Sequence, residues 1–242
     1  MLKKFLLIFM AACFVPQDAG SSDNIEGVSE AIASPEYNSG LKIEMTALSH
    51  LERRTRQASV KVLDMSEMGH GSGAYIRYKG ENLVFTAAHV VDSADKFYIV
   101  DVNGNRVEAT VIYADNDIDF AILKPDQDLQ VRPVRFKMRR NLNNNLIGTE
   151  VIFSGHPGPH SLMTIKGSVA GFERGAIMVH GYAWLGSSGS CVFDGSGNFI
   201  GVLRALDVGR FAVPQLTEDM IWVSPFSSID WNSVDGSIEN TN

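Results

Sequence analysis

From Ala58 to Ser224 the chain is a succession of short apolar or alternating runs separated by Gly, Asn, Asp and Pro, and no helical periodicity interrupts them. Runs of this length and spacing fit strands of small barrels, and they exclude a fold in which strands and helices alternate. The first set comprises Ser59–Leu63, Gly73–Tyr78, Asn82–Thr86, Lys96–Val100, Arg106–Ile112 and Phe120–Leu123. Asn103-Gly104 sits between two of these runs as a hairpin turn, since a positive φ is cheap at both residues. An Asn-rich loop at 141–145 separates the first set from the second: Thr149–Gly155, Ser161–Phe172, Ala176–His180, Gly189–Phe193, Phe199–Ala205 and Met220–Ser224. The expected fold is therefore all-β, with two six-stranded antiparallel β-barrels at 58–135 and 146–230. A short helix is expected near Ser227–Trp231, and 231–242 reads as a flexible polar tail.

The residues before the barrels are of a different kind. Lys3 and Lys4 precede the apolar run Phe5–Val15, which is too short to span a bilayer and has the length of a signal-peptide core. Residues 1–20 are read as a signal peptide, so the product is expected outside the cytoplasm, periplasmic or secreted. Met10-Ala11-Ala12-Cys13 also approaches a lipoprotein box; contact with a membrane would then come only through the leader or through lipid on Cys13. Residues 21–57 read as a linker or pro-segment, with a short helix near Met45–Arg56. Arg53-Arg54-Thr55-Arg56 reads as a solvated helix end, with a processing site as the alternative.

A net charge of −7 gives no basic surplus to neutralise phosphates, so general nucleic-acid binding is excluded. Arg132, Arg135, Lys137, Arg139 and Arg140 are read as a solvated strand edge. There are two cysteines, Cys13 and Cys191, and loss of the leader leaves Cys191 without an intrachain partner. Its place at the head of an apolar strand suits a buried structural thiol.

Three stretches carry candidate chemistry. Gly186-Ser187-Ser188-Gly189-Ser190 surrounds a hydroxyl with small residues that let backbone N–H groups turn toward it. Leu83–Val91 runs into His89, and Asp117-Ile118-Asp119 leads into the apolar run from Phe120. Histidine, acid and serine in that order suit a base, the base's partner and a nucleophile. Asp119 is preferred to Asp117 because it abuts the apolar run. His156 and His160 have a spacing that metals use, but two prolines and no nearby Cys or acid argue against zinc. They are read as part of a solvent-facing loop, and neither a metal nor a cofactor is expected.

Together, Gly71-Ser72-Gly73, Thr86-Ala87-Ala88-His89-Val90-Val91, Asp119–Lys124, Gly186–Ser190 and Gly197–Val202 resemble the trypsin-like peptidases of the chymotrypsin fold. Within them they resemble the disulfide-free branch that includes the HtrA/Deg proteases. The resemblance covers about Ser59 to Ser228. It implies a chymotrypsin-like double barrel with the active site between the barrels, and a serine endopeptidase acting on polypeptides. It also implies His89, Asp119 and Ser188 as a triad, the N–H groups of Gly186 and Ser188 as an oxyanion hole, and a substrate pocket near Tyr182, Ala183, Leu203, Arg204 and Ala205. No acid there would meet a basic side chain, while Arg204 either favours an acidic one or points to solvent. Ser190 stands where the family commonly has Gly, Ser187 stands where it often has Asp or Asn, and no PDZ module is expected. The alternative is a catalytically inactive protein of the same fold that binds peptides or proteins. Oligomeric state is left open. Intact-mass analysis of the product from its native host is expected to show loss of the leader; an uncleaved chain would contradict export.

Overall fold

The computed structural model describes residues 48–139, 142–158, 160–210 and 214–241. The leader expected at 1–20, and the linker up to 47, lie outside the described residues. Among the described residues no helix is long and apolar enough to cross a membrane.

The first barrel is built from β1 (Ser59–Leu63), β2 (His70–Tyr78), β3 (Glu81–Thr86), β4 (Lys96–Val100), β5 (Arg106–Asp115) and β6 (Phe120–Pro125). They run β1-β4-β5-β6-β3-β2, and antiparallel pairing of β1 with β2 closes the ring. A short β7 (Val134–Arg135) joins β2 in parallel. The second barrel is closed in the order β10-β13-β12-β11-β8-β9. Its strands are β8 (Glu150–Gly155), β9 (Met163–Glu173), β10 (Ala176–His180), β11 (Cys191–Asp194), β12 (Phe199–Arg210) and β13 (Pro214–Pro225). Closure removes the exposed edges that strands this apolar would otherwise present. The expected two six-stranded barrels are thus the fold observed.

Several elements differ from expectation. β12 and β13 extend as a paired ribbon well beyond Ala205 and begin well before Met220, because their distal halves hydrogen-bond to each other. At the Asn103-Gly104 turn only Gly104 has positive φ, at 83°. The turn is held instead by Asp101, whose carboxylate accepts from the main-chain N–H groups of Asn103 and Asn105. The expected helix before the barrels is α1 (His50–Ala58), opened by a capping box in which Ser49 and Glu52 satisfy each other's backbone N–H. Arg56 is not a solvated end: its guanidinium donates to Leu162 O at 2.8 Å and Thr164 Oγ1 at 3.2 Å on the second barrel. Arg139 likewise departs from the solvated edge read for its cluster, pairing with the buried Asp194 at 2.8 Å.

The stretch 231–242, expected to be a flexible tail, carries helix α2 (Trp231–Glu239). Asp230 caps its first turn, Val234 and Ile238 are buried one turn apart, and Tyr78 donates to Asp235 at 2.9 Å. Trp231 closes an aromatic cluster with Tyr78, Phe85, Phe120 and Phe136. Phe85 lies at its centre, fully buried, with Phe120 at 5.3 Å and Phe199 of the second barrel at 5.9 Å between ring centroids. Truncation there removes packing from both barrels. Phe85→Ala is expected to cost about 3–5 kcal/mol in chemical denaturation, and a loss under about 1 kcal/mol would contradict this placement.

Candidate active site

His89 lies in a single 3-10 turn, Ala88–Val90, that follows directly on β3. Asp119 lies immediately before β6, the neighbour of β3 in the sheet, so strand pairing brings the two side chains to the same end of the barrel. The Asp119 carboxylate accepts from His89 Nδ1 at 2.8 Å and 3.0 Å, and also from the His89 main-chain N–H at 2.9 Å. These contacts fix the Nδ1–H tautomer and leave Nε2 as the free lone pair. Among the described residues Nε2 makes no hydrogen bond, and the His89 side chain is 34% exposed against 13% for Asp119. Asp119 has φ +57°, uncommon for a residue with a Cβ, and its three contacts with His89 hold it there. Asp117 is exposed, in a turn where the Asp115 carboxylate accepts from its N–H.

Ser188 reaches this corner from the second barrel. Its carbonyl accepts from Ser72 N at 2.7 Å. Gly71 is wedged between Val90, the residue after His89, and that same carbonyl: a Cβ on it would lie 2.6 Å from Val90 and 3.1 Å from Ser188 O. Of the three serines in the stretch, Ser187 and Ser190 are buried and Ser188 is partly exposed. The Ser187 hydroxyl accepts from Trp184 N, and Ser190 Oγ is enclosed without a partner. The stretch is bent by positive φ at Gly186 (92°) and Gly189 (89°). At Gly189 a Cβ would fall 2.0 Å from Ser72 O, so only glycine fits. Among the described residues the N–H groups of Gly186 and Ser188 have no acceptor in the chain.

The residues expected to line a substrate pocket separate into two groups. Ala183 and Leu203 are fully buried in the core of the second barrel, so their side chains line no pocket; Tyr182, Arg204 and Ala205 are accessible. Leu203 contributes its backbone, accepting from Gly189 N at 2.8 Å and donating to Ser190 O at 2.9 Å. Cys191 is a buried thiol, 3.8 Å from Phe85 O, and burial pushes its pKa up. Among the described residues no group of three or more His, Cys, Asp or Glu side chains could hold a metal ion.

His156 is not the solvent-facing loop residue expected. It packs beneath the Gly186–Ser190 stretch, where its N–H donates to Ser72 Oγ at 2.8 Å and its carbonyl accepts from His70 Nε2 at 3.0 Å. Its own Nε2 is buried without a partner. Sequence spacing gave no sign of this pair: His70 and His156 come from different barrels. Burial, with the nearby charges of Lys61, His70 and Arg56, pushes the His156 pKa down to about 4, and burial lowers that of His70 as well.

The model of the trypsin-like peptidase domain family matches residues 71–202, more than half of the chain. A probable periplasmic serine endoprotease, DegP-like, of Buchnera aphidicola subsp. Baizongia pistaciae is 28% identical over 160 residues, covering 60% of this chain and 34% of that protein. The chloroplastic Protease Do-like 1 of Arabidopsis thaliana is 26% identical over 159 residues, covering 60% of this chain and 35% of its own length. The chain thus spans about a third of the length of these curated relatives. Among solved structures, a serine endoprotease from Yersinia pestis shares the fold at TM-score 0.63 and 22% identity, over 79% of this chain and 66% of that one. The HtrA-type protease AlgW with tripeptide does so at TM-score 0.63 and 20% identity, over 79% and 64%.

His156, half-buried with its Nε2 enclosed, gives the fold a pH dependence. Unfolded, it titrates near 6.5; folded, it stays neutral down to about 4. Between these values the unfolded chain holds the extra proton, so its contribution is complete above about pH 6.5 and is lost as pH falls toward 4, by about 3 kcal/mol. Thermal melts from pH 7.5 to 4 are expected to fall less steeply for His156→Gln than for the wild type, and parallel curves would contradict the assignment.

Proposed function

This chain belongs to the trypsin-like peptidase domain family, and we propose that it is a serine endopeptidase using His89, Asp119 and Ser188 on polypeptide substrates. The observation that carries the reading is the Asp119–His89 pair, with both carboxylate oxygens on Nδ1 and one also on the backbone N–H. It presents Nε2 as a base, beside the one accessible hydroxyl of the Gly186–Ser190 stretch.

In the first step Ser188 Oγ bonds to the carbonyl carbon of the substrate while its proton passes to His89 Nε2. The carbonyl π electrons move onto oxygen, and the N–H groups of Gly186 and Ser188 receive that charge, a contribution of about 3 kcal/mol per donor in comparable sites. Asp119 accepts the Nδ1–H bond throughout and stabilises the imidazolium without taking its proton. Collapse of the adduct breaks the C–N bond, and the amine leaves with the proton from Nε2. Water then repeats the sequence on the acyl-enzyme, releasing the acid and restoring Ser188. The Ser188–His89 hydrogen bond, absent among the described residues, forms as substrate closes the site.

The names of the relatives place one in the periplasm and one in the chloroplast. With the Lys3–Val15 leader, they support an exported enzyme. The accessible Tyr182, Arg204 and Ala205 are the candidates for substrate contact.

Ser188→Ala and His89→Ala are each expected to lower kcat/KM for casein-derived peptides by at least about 10⁴-fold, because the groups act as one unit. Asp119→Asn is expected to cost several orders of magnitude and Asp117→Asn almost nothing. Retained activity in Ser188→Ala would remove Ser188 as nucleophile, and the reverse ranking of the two acids would move that role to Asp117.

A further inference from the structure

We infer that Ser72 is a positioning residue for the oxyanion-binding amides, acting from the first barrel on backbone of the second; this rests on the endopeptidase reading above. A trans peptide points its C=O and N–H in opposite directions, so fixing one fixes the other. Three successive peptides of the nucleophile stretch are held through their carbonyls. Leu185 O accepts from Gly158 N, which turns the Gly186 N–H away from the 156–158 loop. Gly186 O accepts from Ser72 Oγ at 2.7 Å, and the Ser187 N–H on the far side of that peptide donates to Trp184 O at 2.9 Å. Ser187 O accepts from Ser190 N at 3.0 Å, which turns the Ser188 N–H outward. The two N–H groups left without acceptors are those of Gly186 and Ser188, so their direction is set by bonds made on the opposite edges of the same peptides.

Two of these restraints are internal to the second barrel's loops, and the central one is not. Ser72 lies on β2 with no exposed surface, and its polar atoms are all engaged. Its N–H holds Ser188 O, its hydroxyl donates to Gly186 O and accepts from His156 N, and its carbonyl accepts from Thr86 Oγ1 at 2.7 Å. Thr86 ends the strand that leads to His89. One residue therefore ties the histidine strand, the His156 loop and both sides of the nucleophile turn. Gly186 cannot lean elsewhere: a Cβ at this position would meet His156 O at 2.5 Å and His70 Nε2 at 2.7 Å. Without the Ser72 hydroxyl, Gly186 O and His156 N are left unpaired in a closed space, and the Gly186–Ser187 peptide is free to rotate to satisfy them. Rotation would turn the flanking peptides about Gly186 and Ser187, and with them the Gly186 and Ser188 N–H groups needed once charge develops on the substrate oxygen.

Such a role separates kcat from KM. With active sites counted by titration, Ser72→Ala is expected to lower kcat about 10- to 100-fold, with KM changed by less than about 3-fold. Binding of a peptidyl aldehyde built on a sequence the wild type cleaves should weaken by a factor similar to the loss in kcat/KM, because its adduct places an oxygen on these amides. Binding of the uncleaved product peptide should not weaken. Should Ser72→Ala fail to fold, Ser72→Cys decides: a thiol is a weak donor, so kcat is expected to fall with KM held and the melting temperature near wild type. An active wild type whose folded Ser72 variant keeps its kcat, or loses aldehyde and product binding alike, overturns the role of Ser72 alone. A wild type that cleaves no peptide overturns the endopeptidase reading and this inference with it.

Discussion

Phe85 meets Phe120 of its own barrel edge-on and Phe199 of the other barrel at nearly the same separation, and this shared apolar contact is what the site depends on. His89 and Asp119 come from the first barrel and Ser188 from the second, so the constellation exists only while the two are docked. The core cluster around Phe85 draws on Cys191, Phe193, Phe199 and Val202 from β11 and β12, the strands that follow the Gly186–Ser190 turn. Burial of this kind is non-directional and fixes no hydrogen-bond geometry. Direction comes from the polar contacts at its rim: Ser59 Oγ to Ser154 O, Ser72 N to Ser188 O and Ser72 Oγ to Gly186 O.

The polar groups beneath the Gly186–Ser190 turn are costly unless kept neutral. Under Gly186 the His70 ring meets the His156 carbonyl, and burial depresses the pKa of both histidines. A proton on either would set a charge beside enclosed backbone, so the second barrel's loop is most secure near and above neutral pH. His89 takes no part in this arrangement. His89 faces the cleft and keeps Asp119, a carboxylate held at positive φ by the same bonds it accepts.

The repeating strand pattern made the barrels legible, and β1 and β10 begin and end where the short apolar or alternating runs of the sequence do. The ribbon formed by the distal β12 and β13 was not legible. Gly209 and Pro214 interrupt its pattern, and its pairing is between its own two strands rather than against a core. Helix α2 was hidden for a related reason. Gly236 and two serines in nine residues give it weak intrinsic propensity, and its stability comes from Val234, Ile238 and Trp231 packing on the first barrel. At the site, the order of His89, Asp119 and Ser188 was readable because each carries its chemistry in its side chain. Ser72, His156 and Gly158 act on or through backbone atoms brought together by folding, and backbone contacts leave no mark in a residue pattern. Ala183 and Leu203 were placed near the pocket by their positions along the chain; both side chains pack into the second barrel's core instead, Leu203 from β12 and Ala183 from the loop after β10.

In the proposed function Ser188, alone among the hydroxyls of its turn, is a base-activated nucleophile. Reaction of the folded protein with an alkyl fluorophosphonate, followed by peptide mass mapping, tests this directly. One phosphonylated residue is expected, Ser188, formed in the wild type and lost when His89 is replaced by alanine. Folded protein that takes up no label, or carries it on Ser187 or Ser190, would contradict it.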